Sequence, residues 1–296
     1  MKKSYLLLHI AVVLAGFTGV FGKLISLNEV VLVWYRVIIS AILLFALVKI
    51  TRKATLSTFP ERFKIGRVGL LIGIHWIFFY ASIKYSNISV GVICYCLTSL
   101  FTAIFEPLIN KKPFSVKQLM LSALTLVGIS LIFHLDPSFQ MGIILGIISA
   151  VFAALYTVYN ERLVKQYDSV LINYYQMVTA SIGLSIILPA FLYFMPSISL
   201  VPGISDFLYL IFLAAVCTVL LYVLFAESLK SIPAFTVNLT FNLEPIYSII
   251  LAFVFFAEGK EVNIYFYVGC AFVMSSVLLQ SLSSGSKTDE IVVKEG

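Results

Sequence analysis

The 296 residues are 61% hydrophobic and 11% charged, with a mean hydropathy of +1.05. Too little charge remains to cover the surface of a water-soluble domain, so water is not the principal solvent of this chain. The net charge of +6 comes from basic residues in short segments between apolar runs, a pattern of membrane topology rather than of a nucleic-acid-binding face.

A helix needs about 20 predominantly apolar residues to cross a bilayer core. Cut at charges, Pro, Gly and polar clusters, the chain yields ten such runs: 4–22, 31–50, 67–86, 89–110, 116–134, 141–160, 170–193, 206–228, 234–257 and 262–282. They are continuously apolar rather than alternating, which predicts helices and not barrel strands. The expected fold class is therefore an all-α integral membrane protein of ten transmembrane helices. The first run follows Lys2 and Lys3 and imitates a secretory signal, but no small-x-small cleavage site follows it. It reads as an uncleaved first span. Within it Gly16, Gly19 and Gly22, spaced by three, offer a smooth face for close helix approach. The four cysteines, Cys94, Cys96, Cys217 and Cys270, all lie in apolar runs and read as packing residues. Residues 283–296 are polar and charged and read as a disordered cytoplasmic tail.

Assigning successive connections to alternate sides puts 16 of the 20 Lys and Arg on one side. Lys23, Lys84 and Lys260 fall on the other, and Arg36 lies within a span. The positive-inside rule then places both termini in the cytoplasm.

Internal similarity comes next. A shift of 146 residues brings Trp76 onto Tyr222, Lys84 onto Lys230, Tyr95 onto Phe241 and Leu97-Thr98-Ser99 onto Leu243-Glu244-Pro245. A shift of 139 brings Thr18 onto Thr157, Lys23 onto Arg162 and Leu24 onto Leu163. Five spans per half is an odd number, so the second half must be inverted relative to the first. Inverted repeats are characteristic of alternating-access transporters.

The stretch Asn242-Leu243-Glu244-Pro245, followed by Ala257-Glu258 at the end of the same span, resembles the "LEP … GE" pattern of the EamA family. That family belongs to the drug/metabolite transporter superfamily. The first half departs from the pattern, with Ser99 in place of the proline and Lys112 where a glutamate is usual. The resemblance covers residues 4–282. It implies a first five-helix repeat over 1–135 and a second, inverted one over 136–282. It also implies a multi-pass protein of the plasma (bacterial inner) membrane. The family's central cavity is lined from the first, third, fourth, sixth, eighth and ninth helices, and in some relatives an aromatic-walled cavity exports aromatic amino acids.

Polar groups inside spans are costly and mark candidate sites. Glu244, ahead of Pro245 in the middle of span 9, suits a proton-coupling group or an amine ligand, or else a hydrogen-bonded structural role. Asn238 and Asn242 lie one turn apart on one face, as the wall of a wet cavity or as an inter-helix tie; the cavity is favoured. His75, Trp76 and Tyr80 in span 3, Tyr95 in span 4, Tyr156 in span 6 and Tyr222 in span 8 are amphipathic groups expected at a cavity. Arg36 could receive a substrate carboxylate, snorkel outward among Trp34 and Tyr35, or tie helices together. His9 could relay protons or simply pack. Glu106 and Glu227 read as solvated helix ends, or as gate partners of Lys111 or Lys230. His134 reads as an idle group near the outer surface.

No nucleotide-binding loop, nucleophile elbow or zinc-protease pair occurs, so no ATPase, enzyme, metal or cofactor is expected. The expected function is secondary transport, in the export direction, of small metabolites such as amino acids. A carrier of sugars, nucleotide sugars or lipid-linked head groups is the alternative, although phosphorylated cargo would need more cavity-facing cations than Arg36. The partners are then a small-molecule substrate and the bilayer, with no nucleic acid. A homodimer is left open, and an intramembrane enzyme or a non-transporting scaffold is the rival class.

Overall fold

A computed structural model describes residues 2–56, 58–133, 139–256 and part of 264–279. The helices run in the order α1 (Lys2–Leu24), α2 (Glu29–Ile50), α3 (Phe59–Tyr85), α4 (Ile88–Tyr95), α5 (Thr98–Asn110) and α6 (Val116–Phe133). Then follow α7 (Gln140–Leu163), α8 (Ser169–Phe194) and α9 (Ile204–Ala214). The last continues through a π-helical turn, Ala215–Leu220, into α10 (Leu221–Leu229), before α11 (Ala234–Phe241) and α12 (Glu244–Phe256). No strand occurs among the described residues. Seven of these helical segments are long and apolar enough to cross a membrane, which makes this a multi-pass membrane protein. The fifth and ninth expected spans coincide with α6 and the α11–α12 pair. Part of span 10, the Ala257-Glu258 end of the motif, His134, Cys270 and the tail lie outside the described residues.

One boundary differs. The apolar run of span 3 opens at residue 67, but α3 begins at Phe59, with Pro60 in its first turn. Proline suits that position because its missing N–H would have no partner there. Arg62, Lys64 and Arg67 therefore ride on helical turns beyond the apolar stretch, since hydropathy marks the part that crosses lipid and not the helix end.

The two halves share local devices. Asn28 caps α2 by accepting from the Val30 N–H, and Asp168 caps α8 by accepting from the Val170 N–H, each at 2.9 Å. Spans 4 and 9 both break. In the first, the Cys96 and Leu97 N–H groups bond back to Ile93 and Cys94; in the second, Asn242 and Leu243 bond to Leu239 and Thr240. These are tight i→i−3 turns at positions 146 residues apart, the shift found in the sequence. The second break has a consequence that the hydropathy did not reveal. Glu244 sits at mid-span, yet it opens the helix α12, where the positive end of the helix dipole favours an acid.

Packing brings the halves together. α3 lies along α7 and α8, while α1 and α2 lie along α10 and α9; α5 meets α7 as α12 meets α1. Those contacts interchange when the halves are exchanged. A chain of hydrogen bonds also fixes direction. Glu106 accepts from the Phe235 N–H at the start of α11 and from Lys112, which reaches Glu161 at the end of α7. The preceding turn carries Ser228, which donates to the Ser4 carbonyl at the start of α1. So α1 begins and α7 ends at the same, basic end of the bundle. The glycine face of α1 works as a close-approach surface: a Cβ at Gly16 would lie 2.6 Å from the Tyr247 Cβ of α12.

Candidate functional site

A cavity of about 30 Å³ lies at the centre, between the halves. Its wall takes Thr18 from α1, Arg36 from α2, and His75, Trp76 and Phe79 from α3. Tyr95, Tyr222, Phe241 and Glu244 complete it from α4, α10, α11 and α12. A smaller chamber of about 10 Å³ adjoins it, bounded by Ile72, Tyr156, Thr157 and Phe225. Tyr95, Leu221, Tyr222 and Phe241 form part of both walls. The first chamber is charged and the second aromatic and aliphatic. The larger volume holds a water or two and no metabolite.

Arg36 is fully buried, which overturns the snorkelling reading: α2 turns this side chain toward α3 and the π-helical turn rather than toward lipid. Its Nε donates to Thr218 Oγ1 at 2.7 Å, one Nη to the Tyr80 hydroxyl at 2.7 Å and the other to the Cys217 carbonyl at 2.8 Å. The guanidinium lies 3.8 Å from the centroid of the Trp76 ring, a cation–π arrangement that holds it flat. All of these partners are neutral.

Glu244 is 4% exposed and lines the same cavity. Its carboxylate has no hydrogen bond or ion pair among the described residues, and Arg36 is the charged group that acts on it electrostatically. A buried ionisable group without a direct partner is expensive, and Glu244 is such a group beside the cavity.

The aromatic members come from matched positions of the two halves. Trp76 donates its Nε1–H to the Tyr222 hydroxyl at 3.1 Å, and the rings meet edge-on at 87° with centroids 5.3 Å apart. Tyr95 packs on His75 at 5.4 Å, and its repeat partner Phe241 lies across the wall. His75 Nδ1 is 3.1 Å from the Ser149 carbonyl, which fixes the ring against α7. Tyr156 belongs to the second chamber, with its hydroxyl on Gln176 Oε1 at 3.1 Å. Tyr80 is buried behind the wall, orienting Arg36.

Three sequence expectations are corrected. Asn238 and Asn242 do not line the cavity. Asn238 donates to Thr102 Oγ1 at 2.7 Å and accepts from Thr157 Oγ1 at 3.0 Å, and Asn242 donates to Ser99 Oγ at 3.3 Å. The break in α11–α12 turns this amide row toward α5 and α7, where each amide ties helices together. His9 is exposed on α1, apart from the cluster. Glu106 is no solvated helix end. It is buried under α11 and pairs with Lys112, at 2.6 Å, instead of Lys111. Glu227, by contrast, makes a half-exposed pair with Lys230.

Polar networks tie the helices together at both ends of the bundle. At the basic end Lys112 bridges Glu106 and Glu161, at 2.6 and 3.0 Å, while Asn110 also donates to Glu161 at 2.6 Å. This network joins α5, α7 and α11. At the opposite end Asp206 accepts from the Ser26 N–H at 3.0 Å and the Ser26 hydroxyl at 2.6 Å, and Lys84 donates to the Leu27 carbonyl.

Some lining groups escaped the sequence reading. Phe79 and Phe241 were lost among 25 phenylalanines. Thr18 carried a signal, since it aligns with Thr157 of the second chamber. Nothing in the sequence marked the π-helical turn whose Cys217 carbonyl accepts from Arg36, although such turns concentrate at functional sites.

Comparison with known proteins agrees with this architecture. The family model described as "EamA-like transporter family" matches twice, over residues 2–134 and 140–282. The chain belongs to the EamA-like transporter family. An uncharacterized transporter of Bacillus subtilis (strain 168), YyaM, is 27% identical over 224 residues, 72% of each chain. A solved crystal structure superposes with a TM-score of 0.69 at 16% identity, covering 95% of this chain and 98% of that one. This last likeness speaks for the fold.

Proposed function

We propose that this EamA-like membrane transporter is a secondary carrier that exports small amphipathic metabolites such as amino acids by alternating access. The observation that carries the reading is the cavity between the two halves, mixed in chemistry, with polar networks at both ends of the bundle. A non-transporting scaffold would have no reason to keep a buried arginine and a buried glutamate on the wall of a central cavity. In this reading the halves are inverted repeats, both termini lie in the cytoplasm, and the Glu106–Lys112–Glu161 network is the inner closure. The Ser26–Asp206 contact is then the outer closure, and transport requires the two to open in turn.

Proteoliposomes loaded with labelled amino acids test it. Protein-dependent, saturable efflux of at least one amino acid is the expected result. Leakage equal to that of empty liposomes across all twenty would overturn it.

A further inference from the structure

The first turns of α3 and of α9 present matching exposed faces, one at each end of the bundle. The π-helical turn closes i→i+5 and so holds an extra residue; ahead of it, the shift between the halves is therefore 145 rather than 146. Phe59, Phe63 and Arg67 then fall on Ile204, Leu208 and Phe212, and all of these are exposed. Ile65, Val68 and Gly69 fall on Leu210, Leu213 and Ala214, and all of these are buried. The exposed face of α9 is apolar at each of its three positions, as a surface against acyl chains should be. The face of α3 carries a cation at the third.

Helical geometry puts Arg67 on the apolar stripe and not beside it. Phe59, Phe63, Arg67 and Leu70 follow at spacings of four, four and three, down one side of the helix. Phe59 and Phe63 stack with centroids 6.1 Å apart, and Leu70, 39% exposed, continues the stripe past the arginine. Arg67 thus lies about 6 Å along the axis inside Phe63 and about 4.5 Å short of Leu70. The bias of Lys and Arg toward this end accounts for cations ahead of the span. It does not account for one set between apolar groups on the outward stripe.

The neighbours of Arg67 are engaged. Arg62 Nε donates to the Leu56 carbonyl and the Thr58 hydroxyl donates to Glu61, each at 2.7 Å. Lys64 donates to Gln166 Oε1 at 3.1 Å, which leaves it two further N–H groups. Arg67 itself has no hydrogen bond or ion pair among the described residues. A guanidinium among exposed apolar side chains is stabilised by an anion at its own depth. An anionic lipid supplies that charge together with acyl chains for the apolar groups around it.

We propose that this face of α3 binds an anionic phospholipid, with the headgroup phosphate on Arg67 and Lys64 and the acyl chains over Phe63 and Leu70. The site lies outside the central cavity and does not depend on what that cavity carries. It places the lipid on the helix that brings His75 and Trp76 to the cavity wall.

The test is a thermal-stability titration of the purified full-length protein in neutral detergent, because a ligand stabilises the state that it binds. The probes are phosphatidylglycerol and phosphatidylcholine of the same acyl chains. Half-maximal stabilisation is expected at about five- to thirtyfold lower mole fraction of phosphatidylglycerol, from about fivefold for each of the two cations. Arg67→Gln should cut that preference about fivefold. Lys230→Gln removes the same charge from the same end of the bundle but outside this face, and should leave the preference unchanged. Equal losses in the two variants would reduce the effect to diffuse attraction and overturn the site, as would the absence of any preference in the wild type. Inorganic phosphate alone should give no shift. Stabilisation by phosphate that Arg67→Gln abolishes would assign the face to a soluble anion and overturn the lipid.

Discussion

Two regions of this protein bury acids, and they solve the problem differently. At the basic end, Glu106 and Glu161 are each 5% exposed at the side chain and share Lys112, with further donors from the Phe235 backbone and Asn110. At the centre, Glu244 is as deeply buried and has no direct partner among the described residues. A satisfied acid network holds helices in place. An unsatisfied acid beside a cavity is a standing cost that folding alone does not explain, and it points to a partner that arrives from outside. The same contrast holds among amides: Asn238 is fully engaged by Thr102 and Thr157, and it lies outside the cavity.

If that contrast is right, the largest loss of stability comes from the paired region. Lys112→Met leaves two buried carboxylates facing each other. Removing one partner of a buried pair costs about 3–5 kcal/mol, but Lys112 is itself 41% exposed, so solvent screening lowers the expectation to about 2 kcal/mol. A reversible unfolding measurement in detergent would read this, and an unchanged stability would remove the network's role as a closure. Asn238→Leu comes next. It removes the hydrogen bonds to the Thr102 and Thr157 hydroxyls, which keep the Thr98 and Ala153 carbonyls as acceptors, at about 1 kcal/mol each, so a fall of about 2 kcal/mol is expected with ligand preference unaltered. A changed ligand preference would return Asn238 to the cavity wall.

The smallest effect concerns the loop ion pair. Burial alone would raise the Asp168 carboxyl, but the Lys53 hydrogen bond and the Val170 N–H outweigh it and hold the group below its ordinary value. A depressed acid contributes stability that is present above its unfolded pKa and fades as pH falls from about 4 through the lowered value. Asp168→Asn keeps the helix cap and should abolish that acid-side component of the melting temperature. Lys112 gives the opposite sign. Burial works against its charge, but hydrogen bonds to Glu106 and Glu161 outweigh this and raise its pKa. Its contribution is full below the ordinary lysine value, about 10.4, and is lost as pH rises from there through the raised value. A melting temperature that falls as steeply in Lys112→Met as in the wild type above about pH 10 would contradict this.

Much of the scaffold was legible because lipid imposes it. Continuous apolar runs and the bias of Lys and Arg are large signals, and they located the membrane helices; the breaks in spans 4 and 9 were not expected, although they fall at positions that the 146-residue shift aligns. The cavity wall was legible in part, as Trp76, Tyr95, Tyr222 and Glu244 all reach it. What remained hidden depends on rotation about helix axes. Hydropathy around an all-apolar helix has no preferred face, so nothing said that α2 turns Arg36 inward or that α11 turns Asn238 toward α5. Charge partners were equally hidden: Lys111 and Lys112 are adjacent in the chain, and only the left-handed turn at Lys111 directs its neighbour onto Glu106.

The contrast between the two acids is tested most directly by ligand-dependent melting of Glu244→Gln beside Glu106→Gln, using an amino acid that stabilises the wild-type protein. The expected result is that Glu106→Gln starts from a lower melting temperature and keeps the full ligand shift, while Glu244→Gln starts at or above the wild-type value and loses the shift. A Glu244→Gln protein that is destabilised yet keeps its full shift would contradict the account.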